Sequence, residues 1–175
     1  FNPPKEDIDS LVNLFKNGRH QDVLDKSENL VLKYSYSIFL YNLRGSANAL
    51  LKKFDEAVAC YKKALRINPN YAAIYNNLGN VFKETGEIEL AEYNYKKATK
   101  IKPNYAEAYY GLGLTLEKKE EFLSAIENYE NALINNPNYP EVFFNLGNVY
   151  RKSGDYELAI KNYKNATKLK KNYYE

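Results

Sequence analysis

The sequence has few of the residues on which disulfides, metal sites and common catalytic centres depend. Its 175 residues include one cysteine, Cys60, one histidine, His20, and no methionine or tryptophan. A disulfide within the chain needs two cysteines, so none can form, and a free thiol fits a reducing compartment, for which the cytoplasm is the default expectation. The sequence contains no G-x-x-x-x-G-K-[ST] loop for phosphate and no H-E-x-x-H motif for zinc. We therefore expect no enzyme, no metal site and no cofactor in these residues.

Long apolar segments and a strong charge imbalance are also absent. No apolar run approaches the roughly 18 residues that a membrane-spanning helix needs, and no secretory signal is present. The net charge is only +3, with lysines spread along the chain, whereas a nucleic-acid-binding surface needs clustered basic residues. We expect neither membrane insertion nor a nucleic-acid partner.

What the sequence does contain is a tetrapeptide that recurs at even intervals. Asn-Pro-Asn-Tyr at residues 68–71 returns as Lys-Pro-Asn-Tyr at 102–105 and as Asn-Pro-Asn-Tyr at 136–139, and a degenerate copy follows at 170–173. Pro69, Pro103 and Pro137 are therefore evenly spaced. A fixed period of this size, about 34 residues, indicates a stacked array of one structural unit, in which each unit contacts its neighbours, and not a single globular core.

Residues 71–104 show what the unit is. Apolar residues three and four positions apart predict a helix over 72–84. Gly86 is the residue type that most often ends a helix in the left-handed conformation. A second apolar stripe predicts a helix over 87–101, and Pro103 ends it because proline neither donates to the helix ladder nor fits inside it. The unit is therefore predicted to be a helical hairpin.

The same residue types recur at the same phase, that is, at the same place in successive periods. Glycine and alanine recur where two helices approach closely, and aromatic rings recur where the gap between hairpins must be filled. These positions are Gly45, Gly79, Gly113 and Gly147; Ala57, Ala91, Ala125 and Ala159; and Tyr61, Tyr95, Tyr129 and Tyr163. A glycine inside a helix costs about 1 kcal/mol relative to alanine, so its recurrence indicates a close contact between helices that stabilises the fold by more than this amount.

Together with Leu78, Leu112 and Leu146 before three of the glycines, these residues resemble the tetratricopeptide repeat family. The resemblance covers residues 37–172 and implies an all-α fold, a right-handed superhelical α-solenoid of antiparallel helix hairpins. It implies a divergent N-terminal hairpin at 1–36, repeats at 37–70, 71–104, 105–138 and 139–172, and the start of a truncated further unit at 173–175. Three residues depart from the pattern: Arg44 stands where the other units have leucine, Asn48 where they have a bulky apolar residue, and Lys171 where they have proline.

The two ends of the sequence prompt a further expectation. The chain begins at Phe1 without a methionine, and residues 172–175 repeat the opening of a unit. Arrays of this kind usually end in a capping helix with a polar outer face. We expect that the natural protein continues past Glu175, the alternative being that the array ends pair with another chain.

In this family the first helices of successive hairpins line a concave groove that binds an extended peptide. Amide side chains suit a peptide backbone because they donate and accept hydrogen bonds, and large aromatic side chains on a polar face indicate binding. The alternative is that these side chains serve packing or solubility. Carried over by phase, the predicted peptide-binding residues are Asn42, Asn76, Asn77, Asn80, Lys83, Tyr110, Leu114, Phe144, Asn145, Asn148, Arg151 and Lys152.

Three functions follow from this resemblance. The first is a non-catalytic protein–protein interaction scaffold that binds an extended segment. The second is the substrate-recognition arm of a larger glycosyltransferase or sulfotransferase, since the asparagines resemble the ladder in the repeat arm of O-linked N-acetylglucosamine transferases, interrupted here at Leu43 and Gly111. The third is a scaffold that self-assembles into a homo-oligomer through its array ends. Chaperone adaptors of this family grip a carboxylate with lysines and arginines at certain groove positions, which here hold Asn42, Asn76, Asn77, Glu107, Gly111 and Glu141, so we expect no tight binding of acidic chaperone tails.

Overall fold

The structure, a computed structural model, describes residues 2–171. This part of the chain contains ten α-helices and no β-strand, which confirms the all-α prediction. The helices are α1 (Lys5–Lys16), α2 (His20–Lys33), α3 (Ile38–Leu50), α4 (Phe54–Ile67), α5 (Ala72–Thr85), α6 (Ile88–Ile101), α7 (Ala106–Lys118), α8 (Phe122–Asn135), α9 (Pro140–Lys152) and α10 (Tyr156–Lys171). From α3 onward, all first helices begin at one phase of the period and all second helices begin at another.

The chain divides into two compact units, residues 1–86 and 87–175. Unit 1 contains α1 to α5 and unit 2 contains α6 to α10. The division falls between the two helices of the predicted repeat 71–104. The further repeat unit predicted at 173–175 lies outside the described residues.

Unit 1 has two adjoining apolar clusters. The first joins the N-terminal hairpin to α3 and is formed by Leu11, Val23, Leu24, Leu40 and Ala47. The second joins α4 to α5 and is formed by Ala57, Tyr61, Ala64, Ile74, Leu78 and Val81. Buried side chains therefore follow the predicted three- and four-residue spacing and hold each helix against the next.

Two departures from the repeat pattern compensate for each other in unit 1. Ser27 stands at the phase that tyrosine occupies in the later hairpins, which leaves space beside α2. Arg44, which stands where later units have leucine, donates from Nη1 to Ser27 Oγ and to the Leu24 carbonyl oxygen, both at 2.7 Å. The guanidinium thus reaches the place that the shorter side chain leaves, and its Nη1 group is bonded there.

Three of the four recurring glycines are shown to permit a close approach, as the sequence predicts. A Cβ atom added at Gly113 would lie 2.5 Å from Cε1 of Tyr129, and one added at Gly147 would lie 2.6 Å from Cε1 of Tyr163. In unit 1, a Cβ at Gly45 would lie 2.5 Å from the ring of Tyr61. These distances are shorter than carbon atoms tolerate, so the tyrosine ring of the second helix rests directly on the backbone of the first.

The turns inside the hairpins share one backbone conformation. Gly86 has a φ of 83° and ends α5 in the left-handed conformation, as predicted. The same phase holds Gly18 and Gly154, with φ of 73° and 80°, but also Lys52 and Glu120, with φ of 59° and 62°. Two of the five turns therefore place a side chain where glycine is favoured.

Candidate functional site

Side-chain hydrogen bonds join the first helices of neighbouring hairpins within each unit. We call the surface formed by α3 and α5 the first-helix face of unit 1, and the surface formed by α7 and α9 the first-helix face of unit 2. In unit 1, Asn77 Nδ2 donates to Asn42 Oδ1 at 3.1 Å. In unit 2, Asn145 Nδ2 donates to the hydroxyl oxygen of Tyr110 at 3.0 Å. The two bonds are equivalent by phase, and they bring together four of the predicted site residues in pairs.

The first-helix face of unit 1 contains a cavity of about 310 Å³. Side chains of α3 and α5 form its sides, and two side chains of α4 reach it from beneath. Its lining residues are Ser46, Ala49, Leu50, Phe54, Tyr61, Asn77, Asn80, Val81 and Glu84. Of these, Asn77 and Asn80 are predicted site residues, and Asn80 is exposed.

Tyr61 and Phe54 belong to a second helix, so the predicted groove does not include them. The tyrosine hydroxyl lies 3.1 Å from Ser46 Oγ and is hydrogen-bonded to it. Burial raises the pKa of Tyr61 to about 12, against the opposing effect of that hydrogen bond. A buried tyrosine needs a partner for its hydroxyl, and the recurrence of tyrosine at this phase was the available signal that it reaches the first helices.

Asn76 does not lie on an exposed face, contrary to the prediction. Only 7% of its surface is exposed, and its Oδ1 is buried and has no hydrogen-bond partner among residues 2–171. The phase argument placed it beside Asn77 in a polar stripe, but the helix turns by about 100° per residue and brings it toward the buried side. Lys83, on the same helix, is half-buried.

In unit 2, a carboxylate links the first-helix face to the core. Glu117 Oε2 accepts a hydrogen bond from the Tyr129 hydroxyl at 3.0 Å, and Glu117 Oε1 accepts one from Lys152 Nζ at 2.8 Å. The Lys152 ammonium also lies 5.7 Å from the centre of the Phe122 ring. Burial, and then the negative charge of Glu117, raise the pKa of Tyr129 well above its ordinary value. This network makes Lys152 a paired cation.

The aromatic residues of unit 2 form two contacts. The ring of Tyr110 lies 5.0 Å from that of Tyr139, centre to centre, and burial is the main cause that raises the pKa of Tyr110. Phe144 is 52% exposed and its ring lies 5.7 Å from that of Tyr163. These last two rings border a cavity of about 470 Å³ against α10.

The remaining predicted residues of unit 2 differ in their hydrogen bonding and in their exposure. Asn148 Oδ1 accepts a hydrogen bond from the Tyr163 hydroxyl at 2.8 Å, so its amide has a structural role. Leu114 is half-buried and Arg151 is exposed. The interruption of the asparagine ladder at Gly111 also has a local cause, because a Cβ there would lie 2.4 Å from the ring of Tyr95.

The described residues give no sign of a metal centre or a membrane segment. Across positions 2–171, no three side chains of histidine, cysteine, aspartate or glutamate come together as a metal ion would require. Nor is any helix in this range both sufficiently long and sufficiently apolar to span a bilayer.

Comparisons with known proteins agree with this architecture. A family model described as TPR repeat matches residues 45–86, 79–120 and 118–154, and one described as tetratricopeptide repeat matches residues 140–173. No curated protein matches the sequence.

Solved structures share the fold at low sequence identity. A structure of MamA from Desulfovibrio magneticus RS-1 superposes with a TM-score of 0.84 at 21% identity, covering 96% of this chain and 95% of that one. PilF of Pseudomonas aeruginosa gives a TM-score of 0.87 at 19% identity, covering 93% of this chain and 74% of that one. YrrB, described as a TPR protein with an unusual peptide-binding site, gives 0.73 at 19% identity, covering 95% and 86%.

Proposed function

The chain belongs to the tetratricopeptide repeat family, and we propose that it is a non-catalytic interaction scaffold whose first-helix faces bind an extended segment of a partner protein. The observation that carries this proposal is the pair of equivalent amide bridges, Asn77 to Asn42 and Asn145 to Tyr110. Each bridge fixes an asparagine side chain on the face where a partner would lie.

An asparagine amide has two N–H donors and one oxygen acceptor. The bridge from Asn77 uses one donor, and the bridge from Asn145 does the same. The remaining groups are of the kind that bonds a peptide N–H and C=O. Because the bridge already holds the side chain in one orientation, less conformational freedom is lost when a peptide binds.

The expected affinity is moderate. A hydrogen bond of this kind contributes about 0.5–1.5 kcal/mol net, and apolar contact adds to it. Several such contacts together correspond to a dissociation constant in the micromolar range, which is about −8 kcal/mol. The peptide-binding site described for YrrB, a protein of the same fold, is consistent with this use of the architecture.

The test is a binding measurement on peptides selected from a random library with the full chain as bait. Asn77→Ala and Asn145→Ala should each weaken binding about five- to tenfold, because each removes hydrogen bonds worth about 1 kcal/mol. Lys62→Ala and Lys161→Ala, at exposed positions on second helices, are the matched controls and should leave affinity unchanged. Equal affinities for all four variants would contradict the proposal, as would a failure to select any peptide.

A second candidate is self-assembly through the face formed by α9 and α10. It is favoured by the exposure of Phe144 beside the cavity of about 470 Å³. Light scattering over a range of concentrations tests it. A mass that rises with concentration in the parent and not in Phe144→Ser supports assembly through this face, whereas a constant mass excludes it.

The arm of a larger glycosyltransferase or sulfotransferase remains a third candidate, because the bridged asparagines would serve a substrate polypeptide equally well. It requires a catalytic domain elsewhere in the full-length gene product. This candidate would be favoured over a free-standing scaffold if the full-length protein had transferase activity and if deleting residues 1–175 impaired the use of protein substrates but not the use of the sugar or sulfate donor.

A further inference from the structure

The two first-helix faces are built from the same template, which makes them directly comparable. Each residue that lines the cavity of unit 1 has a counterpart at the same phase in unit 2, two periods later. Five of the nine counterparts are identical, and among them Asn77 corresponds to Asn145 and Tyr61 to Tyr129. The four that differ decide what each face can accept.

In unit 2 the equivalent positions carry larger side chains. Leu114 stands where unit 1 has Ser46, and Glu117 stands where it has Ala49. Glu117 reaches the Tyr129 hydroxyl on one side and Lys152 on the other, at 3.0 and 2.8 Å. The ion pair of Glu117 and Lys152 thus lies beside the tyrosine hydroxyl, and a branched apolar side chain replaces a serine on the same helix.

In unit 1 the same place is open because its side chains are short. The Tyr61 ring itself is buried, with 2% of its surface exposed, but Ser46 and Ala49 leave space above it between α3 and α5, and the result is the cavity of about 310 Å³. Leu50, which has Lys118 as its counterpart, adds an apolar side chain that is 57% exposed. The walls are mainly apolar, with amide groups at the rim.

We propose that this cavity binds one bulky apolar side chain, such as leucine or phenylalanine, from a bound peptide in which a lysine or arginine stands close to that residue. The inference rests on the proposed function, the binding of an extended segment by the first-helix faces. It goes further by naming the residue types that the partner must carry and the unit that recognises them.

The cationic requirement comes from Glu84. This carboxylate lies at the cavity rim, at the position where unit 2 has Lys152. It is exposed, and within residues 2–171 it enters no ion pair. An uncompensated carboxylate beside an apolar cavity favours a cationic neighbour of the inserted side chain and disfavours an acidic one.

The experiment transfers the closed arrangement from unit 2 to unit 1. The double substitution Ala49→Glu/Glu84→Lys recreates the pair Glu117–Lys152 and should close the cavity. Peptides are first selected from a random library with the parent chain. We expect the selected peptides to share a bulky apolar residue near a lysine or arginine, and the double variant to bind them at least tenfold more weakly.

Two further measurements keep the test independent of folding defects. Replacing the apolar residue of a selected peptide by alanine should weaken binding to the parent about tenfold and leave binding to the double variant nearly unchanged, because the two changes remove the same contact. The converse variant Leu114→Ser/Glu117→Ala/Lys152→Glu, which gives unit 2 the short side chains and the rim carboxylate of unit 1, should gain affinity for the same peptides by opening a second cavity. Circular dichroism verifies that each variant is folded.

The outcomes separate the two proposals. If peptides bind, and Asn77→Ala lowers their affinity but the double variant binds them as tightly as the parent does, then the cavity inference is wrong and the proposed function stands. If the selected peptides share no apolar residue near a cation, the inference is likewise overturned. If no peptide binds at all, both proposals fall.

Discussion

Replacing Lys52 or Glu120 by glycine should stabilise the protein. Both residues have a left-handed backbone, with φ of 59° and 62°. Their turns form the same hydrogen bonds as the turns that contain glycine. The N–H groups of Lys52 and Lys53 donate to the carbonyl oxygens of Ala49 and Asn48 at 3.0 and 2.9 Å, as those of Gly154 and Asp155 do to Arg151 and Tyr150 at 3.2 and 2.9 Å.

The magnitude follows from two opposing terms. A residue with a Cβ loses roughly 1–2 kcal/mol in the left-handed conformation. Glycine avoids that cost but loses about 0.5–1 kcal/mol more in backbone entropy when the chain folds. The net gain for each substitution is about 0.5–1 kcal/mol, which corresponds to a rise in Tm of roughly 1–4 °C for a chain of this size.

The assay is urea denaturation followed by far-ultraviolet circular dichroism, with the slope of the transition checked for constancy among variants. Lys52→Ala is the matched control, because it removes the same side chain and keeps the Cβ. Gly154→Ala tests the converse and should destabilise the protein by about 1 kcal/mol. If Lys52→Gly has the same stability as Lys52→Ala, or a lower one, the assignment of backbone strain to this turn is wrong.

Three further predictions concern the buried contacts. Gly113→Ala should destabilise unit 2 by about 1 kcal/mol, since overpacking against Tyr129 outweighs the gain in helix propensity, and thermal denaturation should show a smaller loss in a Tyr129→Leu background. Tyr61→Phe should reduce the loss of stability at alkaline pH. The pKa of Tyr61 is about 12 in the folded protein against an ordinary value of 10, so the neutral hydroxyl stabilises the parent fully below pH 10, and this stabilisation is lost as the pH rises toward 12. The loss amounts to at most about 1.4 kcal/mol per pH unit, which urea titrations at a series of pH values would detect. Arg44→Ala should cost about 1–3 kcal/mol because it removes the two hydrogen bonds that Nη1 donates to the Leu24 carbonyl oxygen and to Ser27 Oγ, and a double-mutant cycle with Ser27→Ala should show coupling between the two side chains.

The fold follows closely from the sequence because the same local signals occur several times. The predicted helices over 72–84 and 87–101 correspond to Ala72–Thr85 and Ile88–Ile101, and the glycine at 86 ends the first of them. Each hairpin repeats the same evidence, so an error in one unit is corrected by the others. The left-handed conformation of Lys52 and Glu120 can be predicted only from their position in the repeat, where other units have glycine, since neither residue type favours this conformation.

The candidate site was less predictable, for two physical reasons. A rotation of one residue around a helix separates an exposed position from a buried one, and this is why Asn77 lies on the first-helix face and Asn76 does not. The reach of long side chains was the second reason. Tyr61 and Tyr129 extend from second helices to the first-helix faces, where Ser46 and Glu117 bond their hydroxyls. Phase identifies such residues as core and does not show where their polar ends lie.

The measurement that tests the central claim most directly is a nuclear magnetic resonance titration of the labelled chain with a peptide selected from a random library. If the first-helix faces bind it, the largest shifts should fall on α3 and α5 or on α7 and α9, with the side-chain amides of Asn77 and Asn145 among them. Exposed residues of second helices, such as Tyr93 and Leu123, should remain unperturbed. Shifts concentrated at those residues, with the asparagine amides unchanged, would contradict the account and place the binding surface on the second helices.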